Sequence, residues 1–195
     1  MNEEETTQKT YNQIAEKWAA EHNDVDYFRK EFGKFSQLLS KGKILDVGCG
    51  WGRDCSLFKS TDYEYTGVDY SKGLLEIARA NFPQVKFVEG NILDLPFKEN
   101  EFDGFWAAAS LLHIPKAKIQ EALKELKRIT KSGGVGFIAL KKGQGEEMSK
   151  DERFFAYWQY DEFESVLLKA GFEVLDFIEH PESDKTIWIA FFVKI

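Results

Sequence analysis

The chain has 195 residues, 26 Lys or Arg against 33 Asp or Glu, for a formal charge of −7. That length is expected to form one domain with a full core. An acidic balance with no long basic run argues against a nucleic-acid partner, because phosphate neutralisation supplies most of that affinity. No apolar run is long enough to span a bilayer, and the acidic, polar start Met1-Asn2-Glu3-Glu4-Glu5 is unlike a signal peptide, so a cytoplasmic location is expected.

Residues 1–9 are polar and are expected to fray. From Thr10 to about Glu21, Tyr11, Ile14, Ala15 and Trp18 recur at helical spacing. A second helix is expected over about 26–40, carrying Phe28, Phe32, Phe35, Leu38 and Leu39. Gly42 breaks the chain before a strand at 43–47. A glycine-rich turn and a helix over 53–59 follow, then a strand at 63–68 and a helix from an Ser71 N-cap to about Asn81. Pro83 closes that helix, Val85 to Val88 form a third strand, and 89–100 form a loop. The apolar run 102–109 reads as a strand covered on both faces. A helix at about 116–130 presents Ile119, Leu123, Leu126 and Ile129 on one face. Ser132-Gly133-Gly134 turns into a fifth strand at about 135–140. Asp161 is expected to cap a helix with Glu164, ending at Gly171. Strands at 172–178 and 186–194 flank a short polar loop, so they form an antiparallel hairpin. The alternation implies a parallel sheet with helices on both faces.

The run Ile44-Leu45-Asp46-Val47-Gly48-Cys49-Gly50-Trp51-Gly52, with Asp69 ending the next strand, is the most informative stretch. A strand entering a glycine turn and then a helix builds a pocket for an adenosine-bearing cofactor. The glycines let backbone approach the ligand and the helix N-terminus offers N–H groups. A carboxylate at the end of the second strand can accept hydrogen bonds from a ribose diol. A dinucleotide fingerprint would place its third glycine where Arg53 stands. That disfavours an NAD-type oxidoreductase, which stays as an alternative. Cys49 and Cys55 fit no zinc or disulfide spacing, so no metal is expected.

The G-x-G-x-G spacing with a following acid resembles the class I S-adenosylmethionine-dependent methyltransferases. The 90–97 loop, Phe102-Asp103 and the terminal hairpin agree, and the segments 102–106 and 111–115 resemble a bacterial small-molecule-type subgroup. The resemblance implies an α/β, Rossmann-like fold, a single domain over 1–195 with a helical cap at 1–40, and the sheet order 3-2-1-4-5-7-6. It also implies the cofactor S-adenosylmethionine, released as S-adenosylhomocysteine after direct in-line transfer to a small-molecule acceptor. On that likeness Gly48, Cys49 and Gly50 bring backbone to the methionine part, and Asp46 reaches its ammonium. Asp69 holds the ribose, Tyr70 lies on the adenine, and Asn91 and Ile92 contact the ring. Ala107 and Ala108 lie under the sulfonium, and Tyr11 covers the methionine end, while Trp18 is read as core.

His113, beyond the fourth strand at the edge where open α/β sheets bind ligands, is the candidate catalytic base. Arg153 is placed to pair with a substrate carboxylate. Phe155 is a second substrate contact, in an apolar lid with Phe154, Tyr157 and Trp158. A protein that binds the cofactor without catalysis is the other alternative.

Overall fold

The computed structural model describes every residue except 60, 61, 184 and 185. Helix α1 (Glu3–Glu21) and helix α2 (Arg29–Leu38) precede strand β1 (Gly42–Val47), a one-turn helix α3 (Cys55–Phe58) and β2 (Tyr63–Asp69). Helix α4 (Lys72–Asn81), β3 (Lys86–Glu89) and β4 (Phe102–Ala108) follow. Two 3₁₀ turns, Leu111–His113 and Lys116–Lys118, lead into α5 (Ile119–Ile129) and β5 (Thr130–Lys141). A small hairpin, β6 (Glu146–Met148) and β7 (Phe154–Ala156), precedes α6 (Tyr160–Lys169), β8 (Glu173–Ser183) and β9 (Thr186–Lys194). The seven-stranded sheet runs β3-β2-β1-β4-β5-β9-β8. β9 is antiparallel to both β5 and β8, and the other pairings are parallel. Counting the sheet's own strands, this is the order the resemblance implied.

Burial follows the apolar pattern. Within β4 Asp103 alone is not fully buried, and Ile119, Leu123, Leu126 and Ile129 of α5 pack into the core as expected. Phe28 and Phe35 beside and within α2 are fully buried, and Phe35 meets the Trp106 ring edge-on at 5.5 Å. Trp106 in turn stacks on Phe137 of β5 at 3.9 Å. Helix α2 is thus a core element, and the wall of the site comes from α1, which packs along α4.

Several local expectations are corrected. Residues 3–9 do not fray. Asn2 accepts the Glu5 N–H at 2.8 Å while the Glu5 carboxylate accepts the Asn2 N–H, a reciprocal cap that starts α1 at Glu3. The helix expected over 53–59 shortens to 55–58, because Gly52 N–H and Cys55 N–H bond carbonyls three residues back and extend the turn. The cap of α6 is Gln159, boxed with Glu162, so Asp161 lies in the first turn beside the helix's positive end. β5 starts at Thr130, which pairs with Phe102 before the register shifts. β8 runs on to Ser183, so the expected polar loop up to 183 is part of the hairpin's arm, and its remainder, 184 and 185, lies outside the described residues. Phe154 and Phe155 of the expected lid lie in β7 of the small hairpin.

Gly104 of β4 sits where strands and the chain before β1 converge: a Cβ there would lie 2.5 Å from the Val135 carbonyl oxygen and 2.7 Å from Leu39 Cδ2. The backbone oxygen cannot move aside without breaking the ladder. Gly104→Ala is therefore expected to destabilise the fold by about 1–3 kcal/mol, as overpacking generally does, read as a lowered urea midpoint at unchanged slope.

Candidate functional site

The C-terminal ends of β1, β2 and β4 open into a cavity of about 200 Å³ that α1 walls on the outer side. The floor is the glycine turn. Gly48 has φ +74°, and a Cβ on it would meet Ser110 Cβ at 2.3 Å, so backbone alone fits between β1 and the segment after β4. A Cβ on Gly50 would have only Leu74 Cδ1 within 4 Å, at 3.9 Å, leaving that stretch of backbone open to the cavity. The Gly50 N–H donates to Asp69 Oδ2 at 2.8 Å and the Ser71 N–H to Oδ1 at 2.7 Å. Those two bonds fix the carboxylate at the cavity wall and offset part of the desolvation that raises its pKa.

Behind the turn lies a buried charge cluster. Asp46 is 2% exposed and accepts from the Tyr65 hydroxyl at 2.5 Å. Burial, reinforced by the neighbouring Asp54, pushes the Asp46 carboxyl well above the usual carboxylate range. Arg53 is committed to Asp54, with Nε at 2.5 Å from Oδ1 and Nη2 at 3.1 Å from Oδ2. Asp54 also accepts from the Trp106 indole at 2.8 Å. The Arg53 guanidinium lies over Tyr27 and Phe28, at 5.5 and 5.3 Å. The residue that stands where a dinucleotide site has glycine is therefore the counterion of the pocket's acids.

At the other end, Tyr11, Trp18 and His113 line the cavity. His113 Nδ1 lies 2.6 Å from the Phe154 carbonyl, which can only accept, so this nitrogen carries the proton. Its Nε2 is then an acceptor for the Tyr11 hydroxyl at 2.9 Å. Burial pushes the His113 pKa down to about 4, with the Arg153 and Lys141 charges adding to the effect. Burial raises that of Tyr11 to about 12. Arg153 Nη1 reaches the Tyr11 oxygen at 3.3 Å.

The expected site residues thus fall into two groups. Tyr11, Asp46, Gly48, Cys49, Gly50, Asp69, Tyr70, Asn91, Ile92, Ala108 and His113 all face one cavity. Asn91 spends one lone pair of Oδ1 on the Leu93 N–H at 3.0 Å. Ala107 points into the core and does not line the cavity; Ala108, Ala109 and Ser110 take its place, Ala109 at φ +62°. Arg153 and Phe155 lie behind the Tyr11–His113 wall, and Phe154 and Trp158 are buried packing rather than a lid. Trp18, read as core, lines the cavity.

Sequence reasoning missed several contributors. Gln8 Nε2 donates to the Tyr70 carbonyl at 2.8 Å, Asn12 Oδ1 accepts from Ser71 Oγ and Gly73 N–H, and Thr7 Oγ1 accepts the Phe154 N–H. The Asn2-x-x-Glu5 box was the signal that would have brought Thr7 and Gln8 into a helix. Ser110 Oγ, on the cavity wall, is buried with no hydrogen-bond partner among the described residues. No group of His, Cys, Asp and Glu able to hold a metal is found among the described residues.

Residues 44–134 match the family described as a methyltransferase domain. Over 144 residues the chain is 31% identical to a demethylmenaquinone methyltransferase of Staphylococcus carnosus, covering 68% of this chain and 59% of that protein. The chain is thus similar in sequence to methyltransferases over its residues 44–134. It spans less than two thirds of that relative's length. Among solved structures, the fold is similar to that of a Burkholderia thailandensis 1,6-didemethyltoxoflavin-N1-methyltransferase with bound 1,6-didemethyltoxoflavin and S-adenosylhomocysteine. The TM-score is 0.84 at 18% identity, covering 97% of this chain and 87% of that one. It is also similar to SpnF, a cyclase, with TM-score 0.71 at 18% identity, covering 85% and 80%. The same scaffold therefore serves different chemistries, and the reaction has to be argued from the site.

A histidine whose folded pKa lies near 4 against about 6.5 unfolded binds fewer protons folded than unfolded between those values. It therefore contributes stability above pH 6.5 that is lost as pH falls toward 4. The wild-type chain should lose about 2 kcal/mol between pH 7 and pH 5 from this group alone. In His113→Gln the stability difference between the two pH values should shrink by about that amount, as read by urea melts at each pH.

Proposed function

We propose that this chain transfers the methyl group of S-adenosylmethionine to a small-molecule acceptor. The observation that carries the reading is the Asp69 carboxylate, held by two backbone N–H groups and aimed into a cavity whose floor is bare glycine backbone. The residues fit that cofactor. A cis-diol pairs with a carboxylate that still has lone pairs free. A cationic ammonium suits Asp46, whose neighbouring arginine is already committed to Asp54. The partnerless Ser110 hydroxyl and the second lone pair of Asn91 Oδ1 remain for polar groups of the ligand. Tyr70 and Ile92 supply the flat and apolar surface for the base.

When bound, the cofactor supplies a methyl group on a sulfonium that departs as a neutral thioether. The protein's task is then to align an acceptor with that methyl and to exclude water, and alignment is worth on the order of 7–11 kcal/mol. Tyr11 and Trp18 close the cavity on the α1 side. His113 serves in this reading as a positioning residue and not as the base first expected. Its free nitrogen is occupied by the Tyr11 hydroxyl, and a group of pKa about 4 is far from the match to neutral pH that proton abstraction needs. It holds the Tyr11 side chain in place in the cavity wall. A single domain with α1 as its cap, a cytoplasmic location and no nucleic-acid partner complete the proposal. The acidic balance supports it, as does the finding that no helix is long and apolar enough to cross a membrane among the described residues.

S-Adenosylhomocysteine at about a hundred times its dissociation constant should stabilise the chain by roughly 2.7 kcal/mol. That is a melting shift of about 5–11 °C for a domain of this size. NAD should give none. Asp69→Ala should abolish the shift while leaving a cooperative melt; a variant that binds normally would remove the ribose assignment.

A further inference from the structure

Acids line one end of the cavity, and cations stand behind the Tyr11–His113 wall at the other. Asp46, Asp54 and Asp69 gather at the glycine turn against Arg53. The charges that bear on His113 at the far end are the cations Arg153 and Lys141, opposed by Asp151. Arg153 stands in the turn that joins β6 to β7, with its side chain 15% exposed. Its guanidinium lies 4.4 Å from the Trp18 ring centroid, 5.4 Å from that of Phe155 and 5.5 Å from that of Tyr11. Lys141 Nζ lies 4.6 Å from the Phe155 centroid. A cation walled by aromatic rings is poorly solvated and requires an anion.

The anion it has is a poor match. Asp151 is half exposed and meets Arg153 through one oxygen: Nε at 3.0 Å and Nη2 at 2.7 Å both reach Oδ2. The other oxygen, Oδ1, is taken by Ser149 Oγ at 2.5 Å. A guanidinium fork is best satisfied by two carboxylate oxygens side by side. The chain thus holds a replaceable carboxylate on a buried fork next to Tyr11 and Trp18, both of which line the cavity.

Building on the methyl-transfer reading, we propose that the acceptor is a flat, ring-bearing organic carboxylate. Its carboxylate takes the place of Asp151 on Arg153, and its ring lies against the aromatic side chains there. Asp151 then acts as an internal competitor that neutralises Arg153 between turnovers. A neutral acceptor of the same shape would leave the buried fork with its poorer partner and would bind more weakly.

The test uses the full chain saturated with S-adenosylhomocysteine and titrated calorimetrically with matched pairs: benzoate and benzamide, indole-3-acetate and indole-3-acetamide, cinnamate and cinnamamide. At least one carboxylate should bind about tenfold or more tightly than its amide, the scale expected of one charge-assisted bidentate contact. Arg153→Gln and Arg153→Lys should each remove most of that preference, the second because it keeps the charge and loses the fork. Asp151→Asn should strengthen carboxylate binding about threefold or more by removing the competitor, and should leave the amides unchanged. S-Adenosylhomocysteine binding by each variant reports an intact fold. Carboxylates and amides binding alike to the loaded wild-type chain, or a preference that survives both Arg153 variants, overturns this proposal and leaves the methyltransferase reading standing. Failure of the wild-type chain to bind S-adenosylhomocysteine overturns both.

Discussion

The site depends on burying three carboxylates under one arginine. Asp46, Asp54 and Asp69 converge where β1 and β2 end, and Arg53 is bound to Asp54. Charges removed from water lose several kcal/mol of solvation each unless paired or hydrogen-bonded. Every acid in the cluster has a distinct solution. Asp54 has the arginine and the Trp106 indole, Asp69 has two backbone N–H groups, and Asp46 has the Tyr65 hydroxyl and a raised pKa. The cluster has more acids than cations, which suits a ligand that carries an ammonium. It also explains why the core beneath it is aromatic: Trp106 can donate to Asp54 from within β4 while stacking on Phe137, a combination no aliphatic residue offers.

The same balance explains why Arg53 mattered more than its spacing suggested. From the sequence it is the absence of a glycine, and it turns the reading away from a pyrophosphate cradle. In the structure it is a stabilising element with its guanidinium over Tyr27 and Phe28, just ahead of α2, so the N-terminal segment and the glycine turn are joined through one side chain. Removing it would leave Asp54 buried without its cation, the situation that costs most in a buried pair.

The sheet and its order were legible because strand burial and helix periodicity write themselves into runs of several residues, and the glycine turn with Asp69 is local in sequence. What was not legible depends on contacts between distant segments. Ala107 and Ala109 are equivalent in composition, and only the turn at Ala109, with its positive φ, decides which faces the cavity. His113 reads as a base because nothing near it in sequence shows that Tyr11, 102 residues away, occupies its free nitrogen. Trp18 fits an apolar helical stripe equally well whether that stripe meets core or cavity. The starts of α1 and α6 were readable too, since each carries an intact capping box among polar residues.

Helix α1 joins the two halves of the site. Gln8 and Asn12 bind Tyr70, Ser71 and Gly73 beyond the end of β2, while Thr7, Thr10 and Tyr11 meet Phe154, Glu152 and Arg153 on the hairpin side. Each such bond contributes on the order of 1 kcal/mol net, so swinging α1 outward costs several kcal/mol before packing is counted. A displaced α1 is then a minor state, and a ligand that meets both sides at once favours the closed one by its differential affinity. Coupling of this kind makes the order of binding matter. On the proposed reading, a cofactor seated against Asp69 and Tyr70 would stiffen the segment that Gln8 and Asn12 grip. That would hold Tyr11 and Trp18 against the acceptor's ring, so the acceptor subsite would form best once the cofactor is seated.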